Sequence, residues 1–204
     1  MILSRRSLLS LSAVAGLSGC DAVSALSRAS DPLDTFTLSS LPPAGSRSVG
    51  NAHLVVEMPT TAGELDTDRI LIKVSPRQAE YLPDGRWSEP APAMVQTLLV
   101  NSLLNRGGFR LVSRVGAGLM PDYTLMSEIQ AFQAELAGPE TPAQVRLGFQ
   151  MTLIRETDRS IAGTRRFDST ASVASDSTVA LVAAIDRAMQ SVLREAVDWV
   201  RATT

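Results

Sequence analysis

Cysteine occurs once in this chain, at Cys20, which excludes an internal disulfide and any cysteine-rich zinc or iron–sulfur site. Histidine also occurs once, at His53, inside a strand-like run where a hydrogen-bonded structural role is the ordinary one. The single lysine, Lys73, is followed by Val74 rather than Ser or Thr, so the chain encodes no phosphate-cradling loop for nucleotide hydrolysis. No serine stands in a Gly-x-Ser-x-Gly elbow, and His-Glu-x-x-His is absent. Glu64, Asp66 and Asp68 cluster without a partner base, as a solvated loop does. With 19 basic against 21 acidic residues there is no net field to draw in nucleic acid. Enzymatic activity, a metal and a cofactor are therefore not expected. A hydrophobic fraction of 45% in 204 residues does support a packed core.

What is present begins at the N-terminus. Arg5 and Arg6 precede an apolar stretch from Leu8 to Leu17, then small residues and Cys20. This is the layout of a secretion signal. The apolar stretch falls well short of the roughly 20 residues a membrane-spanning helix needs. Leu17-Ser18-Gly19-Cys20 resembles the bacterial lipobox, which makes residues 1–19 a cleaved signal peptide and Cys20 the lipidated mature N-terminus. Covalent diacylglyceryl and acyl chains on Cys20 are the one modification expected, and two or more chains anchor stably where one does not. Ser4-Arg5-Arg6-Ser7-Leu8-Leu9 also resembles a twin-arginine export signal, leaving the export route open. Loss of residues 1–19 removes two arginines and no acid, leaving 17 basic against 21 acidic residues. Asp21 directly after the anchor points to retention in the inner membrane.

Residues 20–34 are rich in Ala, Ser and Asp and read as a lipid-anchored flexible tether, with the folded domain over 35–204. Apolar runs at 35–38, 53–58, 70–74 and 79–82 predict strands, the last closed by a turn at Pro83-Asp84-Gly85. Pro90 and Pro92 open a helix that Gly107-Gly108 stops. Strands follow over 109–115 and 122–136. In the latter, Tyr123, Leu125 and Ile129 share one parity while Phe132 and Leu136 share the other, which requires a bulge near Gln130. Val145 to Leu153 alternates cleanly, and 160–173 reads as another strand after a turn at Thr157-Asp158. Val182, Ile185, Met189, Val192, Ala196 and Trp199 mark a closing amphipathic helix, capped by residues 175–178. The expected fold is α+β: a mostly antiparallel sheet of about six strands with two amphipathic helices packed on one face.

Aromatic residues make up only 4% of the chain, yet Tyr81 and Trp87 stand six apart with Arg86 beside them. Both rings can cover the start of the first helix; the three side chains also match the types that anchor protein interfaces. Tyr81, Arg86 and Trp87 are thus candidate partner contacts.

In order and spacing, several of these segments resemble the ABC-type transport auxiliary lipoproteins, relatives of the paraquat-inducible lipoprotein. The matching landmarks are the lipobox at Cys20, Phe36-Thr37-Leu38, the run Leu65 to Ile70, Tyr81, the segment Arg86-Trp87-Ser88-Glu89-Pro90, Asp122-Tyr123-Thr124-Leu125 and the ending Asp198-Trp199-Val200. The resemblance implies a non-enzymatic, periplasm-facing lipoprotein that docks to or scaffolds a mammalian-cell-entry (MCE) type ABC transport system moving phospholipid or other apolar molecules. Its implied partners are an MCE-domain protein, a permease and an ATPase, with a homo-oligomer compatible. It implies the outer membrane, against the pointer from Asp21. A stand-alone periplasmic lipid-binding carrier is the alternative.

Overall fold

Alternating apolar residues from Val145 to Leu153 dictate a strand with one dry face. The computed structural model, which describes residues 33–44, 50–114, 118–136, 142–175 and 177–204, sets that strand within a nine-stranded sheet. In chain order the elements are β1 (Asp34–Phe36), β2 (His53–Val56), β3 (Thr60–Thr61), β4 (Arg69–Ser75), β5 (Gln78–Trp87), α1 (Ala91–Arg106), β6 (Leu111–Arg114), β7 (Tyr123–Glu135), β8 (Gln144–Arg155), β9 (Ser160–Ser172) and α2 (Thr178–Thr203). Residues 34–204 form one compact unit. The signal peptide, Cys20 and the tether as far as residue 32 lie outside the described residues.

The long strands β7, β8 and β9 are antiparallel neighbours. Leu125 stands opposite Leu153 and Ile129 opposite Phe149; past a register shift between Ile129 and Ala131, Phe132 stands opposite Leu147 and Ala134 opposite Val145. That shift is the bulge required near Gln130, and it turns both halves of β7 toward the same core.

The fold is α+β, but the sheet is mixed and has nine strands, not about six mostly antiparallel ones. β2, β3 and β4 follow one another along the second edge of β7, all parallel to it, with Val56 beside Leu125, Thr60 beside Glu128 and Leu71 beside Gln133. β1 runs parallel to β5, and β6 parallel to β2. Apolar runs mark β1, β2, β4 and β6 as strands, but β3 and the parallel order escape period-two reading for physical reasons. β3 has two residues, and every residue of β2 is buried, so neither shows the alternation of a strand with one wet face. The turn at Pro83-Asp84-Gly85 also needs correction. β5 continues through it to Trp87, and those residues form a bulge, since Leu71 faces Tyr81 while Arg69 faces Arg86.

Pro90 and Pro92 start α1 where no backbone donor is missed, and Gly107, at φ 71°, ends it by donating its N–H to Leu103 O at 3.0 Å. Of the sixteen residues of α1 only Asn101 and Leu104 are exposed, so this helix is buried nearly all round rather than amphipathic. α2 is amphipathic as its spacing requires. Ser177 Oγ caps it by accepting from Ala180 N, and Leu181, Ile185, Met189, Val192, Ala196 and Val200 are buried. One continuous apolar cluster joins both helices to the inward side chains of β2, β7 and β8, with Trp87, Phe132 and Phe149 at its centre.

An extended arm follows β1 and crosses to the helices. Leu38 and Leu41 are buried. Ser39 N donates to Asp186 Oδ1 at 2.7 Å and Ser39 O accepts from Gln190 Nε2, while Leu41 N donates to Ser102 Oγ at 3.0 Å and Leu41 O accepts from Asn105 Nδ2 at 2.8 Å. Side chains of α1 and α2 thus satisfy a backbone that has no strand partner there.

Candidate functional site

Three of the segments that carry the family resemblance, those at Phe36, Leu65–Ile70 and Arg86–Pro90, meet in space. The loop before β4 folds back against the end of β5: Trp87 N donates to Asp68 O at 2.7 Å, and Ala91 N to Thr67 O at 3.0 Å. Arg86 Nη1 lies 3.5 Å from Asp68 Oδ2, and Arg86 Nε donates to Thr35 Oγ1 at 3.4 Å. Ser88 N donates to Phe36 O at 2.8 Å. Residues 35–36, 67–69 and 86–91 therefore form one joint that fixes β1, β4, β5 and the entry to α1 together. Sequence reading singled out each piece; their meeting depends on long-range pairing and carries no local signal.

The three candidate contact residues separate. Trp87 is 2% exposed, and its ring meets Phe132 edge-on at 5.8 Å between centroids, so its side chain is a core wedge. Tyr81 is 42% exposed: its hydroxyl donates to Glu64 O at 3.2 Å, and the Arg69 guanidinium sits 5.9 Å from its ring centroid. Arg86 is half exposed on the rim of the joint. The bulge at Pro83-Asp84-Gly85 is what parts them, because it breaks the two-residue periodicity between positions 81 and 87. Tyr81 and Arg86 remain on the surface, and Trp87 does not.

The other polar candidates are accounted for. His53 is buried, its Nε2 is 2.9 Å from Ser113 Oγ, and its backbone N donates to Asp122 Oδ2 at 2.7 Å. Glu64 pairs with Lys73 at 3.7 Å. Among the described residues no three His, Cys, Asp or Glu side chains converge as metal ligands.

A hollow of about 550 Å³ opens at the end of the sheet between Gly50, Gly108, Tyr123, Arg155 and Arg201. The Tyr123 hydroxyl, which donates to Thr204 O at 3.2 Å, and then the charge of Asp158, 3.6 Å away, favour the protonated Arg155 guanidinium. A smaller hollow of about 300 Å³ lies between Lys73, Ser75, Glu135 and Arg146. Both are open and mixed in polarity, while the space between sheet and helices is filled by the apolar cluster. None of the described helices is long and apolar enough to cross a membrane.

Comparison with known proteins brings these features together. Residues 36–197 match the family model described as "ABC-type transport auxiliary lipoprotein component". The crystal structure of protein XCC0632 from Xanthomonas campestris, of family DUF330, superposes with a TM-score of 0.74 at 22% identity, covering 83% of this chain and 95% of that one. The hypothetical protein CT253 from Chlamydia trachomatis superposes with a TM-score of 0.53 at 10% identity, covering 76% and 98%. At these identities the likeness is one of fold. The uncharacterized protein bll6063 of Bradyrhizobium diazoefficiens is 26% identical over 152 residues, or 73% of this chain; the chain spans 39% of that relative's length.

Proposed function

Because the chain belongs to the family of ABC-type transport auxiliary lipoprotein components, we propose that it is a non-enzymatic subunit that docks to an MCE-type ABC transport system from the periplasmic side. In this reading acyl chains on Cys20 hold it at the cell envelope, and the partners are the MCE-domain protein, the permease and the ATPase. The cargo is phospholipid or another apolar molecule. A tethered domain without chemistry of its own serves such a system by raising the local concentration of its partner near one membrane.

The observation that carries the reading is the reach of the family match, which spans the folded body from β1 into α2. The filled space between sheet and helices favours docking over carriage, since an acyl chain would have to displace packed side chains such as Leu54, Phe149 and Met189. Tyr81 and Arg86 are the proposed contact, an exposed arginine on the rim of the joint and an exposed aromatic beside Arg69 of that joint.

The test uses the full-length lipoprotein, with the MCE-domain protein captured from membranes carrying Y81A or R86A. Capture falls at least several-fold while thermal melting stays near wild type; undiminished capture by both folded variants removes this surface from the proposal. Uptake of labelled phospholipid by the purified protein would instead support the carrier reading.

A further inference from the structure

β9 is a long strand paired on one side only. Among the described residues β8 is its sole strand neighbour, and the other edge has no strand partner along its thirteen residues. The direction of its free groups follows from two bonds. Val173 N donates inward to Ala143 O at 2.9 Å, and Ser172 O accepts from Arg187 Nη2 of α2 at 3.2 Å, on the outside. In an antiparallel ladder these roles alternate, so Phe167 and its odd-numbered neighbours bond to β8. Thr164, Arg166, Asp168 and Thr170 turn their N–H and C=O groups outward, with no partner among the described residues. Such an edge is a template for another strand.

The side chains along this edge are arranged symmetrically about Phe167. Arg166 and Asp168 flank it and clasp each other in an in-strand fork, Nε to Oδ2 at 2.7 Å and Nη2 to Oδ1 at 3.0 Å. Gly148 of β8 leaves the space the carboxylate occupies, since a Cβ there would stand 3.1 Å from Asp168 Oδ1. Thr164 and Thr170 lie one step further out on either side. Arg165, on the opposite face, is matched by Glu195 at 3.5 Å and needs no further partner.

We propose that β9 pairs antiparallel with β9 of a second copy of this chain, on a two-fold axis through Phe167, so that Arg166 of each copy faces Asp168 of the other. The register is self-complementary: 166 opposite 168 and 164 opposite 170 are the pairs whose outward groups exchange hydrogen bonds, and both cross-strand charge pairs are of opposite sign. A shift by two residues sets Arg166 opposite Thr170 or Asp168 opposite Thr164 and loses the charge match. The in-strand fork becomes a pair of cross-strand bonds without rebuilding either copy.

The experiment measures the mass of the full-length lipoprotein in detergent for wild type, R166E, D168R and an equimolar mixture of the two variants. The wild type is dimeric. Each variant alone sets like charges opposite one another and is monomeric, with at least a tenfold loss of association. The mixture recovers a heterodimer, because both acidic side chains of the R166E copy then face arginines of the D168R copy, although neither copy regains its own fork. T170P gives a second reading, since its outward N–H has no partner in β8 and its loss blocks the approaching strand while sparing the ladder. Monomeric wild type, self-association of R166E or D168R at the wild-type level, or a mixture that stays monomeric overturns the proposal. Circular dichroism shows that each variant is folded.

Discussion

At the scale of single residues, burial decides what a side chain can do more than its chemical type does. Trp87 and Tyr81 are both aromatic, six residues apart, and have opposite roles. W87A removes a ring that is 2% exposed and packed on Phe132, and it should lower stability by about 3–5 kcal/mol. Y81A removes an exposed ring and one hydrogen bond, and it should cost no more than about 1 kcal/mol. Urea unfolding of both variants checks the contrast; equal losses would contradict the placement of Trp87. Asp168 supplies a pH prediction. The Arg166 fork, more than any other group, holds its carboxyl below the ordinary value of 3.8. A folded value below the unfolded one means that this group's contribution is complete above the ordinary value and is lost as pH falls through the lower, folded one. Carbon-detected titration of the Asp168 carboxyl should show a depressed midpoint that R166Q moves back upward.

At the scale of elements, the arm and the close approach of Gly50 to Gly108 can be tested separately. D186A removes the acceptor for Ser39 N and should cost about 1 kcal/mol, while amide exchange at Ser39 quickens. Unchanged exchange there would mean that Asp186 does not hold the arm. At Gly50 a Cβ would come within 2.0 Å of Gly108 O, so G50A should destabilise by about 1–3 kcal/mol, read by the same unfolding measurement. Elements with strong local patterning were legible in the amino-acid sequence: β8 from its alternation, α2 from its three-and-four spacing, and the bulge in β7 from the parity change between Ile129 and Phe132. Apolar runs also marked β1, β2, β4 and β6 as strands, but neither β3 nor the parallel pairing was legible. β3 is two threonines and β2 is buried throughout, so their place beside β7 is set by tertiary pairing rather than local pattern. The buried surround of α1 was hidden for a similar reason, since the arm and both its sheet and helix neighbours cover faces that an isolated helix would leave wet.

At the scale of the whole molecule, the chain joins a filled core to a family whose members are lipoprotein auxiliaries of ABC transport. Of the candidate contact surface, sequence showed the residue types but not the joint that holds them, because residues 35, 68 and 86 approach only once β1, β4 and β5 are paired. The expected export and lipidation rest entirely on residues 1–20, and the proposed docking role depends on that anchor as much as on the folded body. The measurement that tests the role most directly is crosslinking and capture of the full-length lipoprotein from its native membranes, with inner and outer fractions kept apart. The account predicts recovery of an MCE-domain protein together with the permease or the ATPase, and the fraction that yields them assigns the membrane in which Asp21 leaves the anchor. Recovery of intact bait in good yield with only unrelated envelope proteins would contradict it.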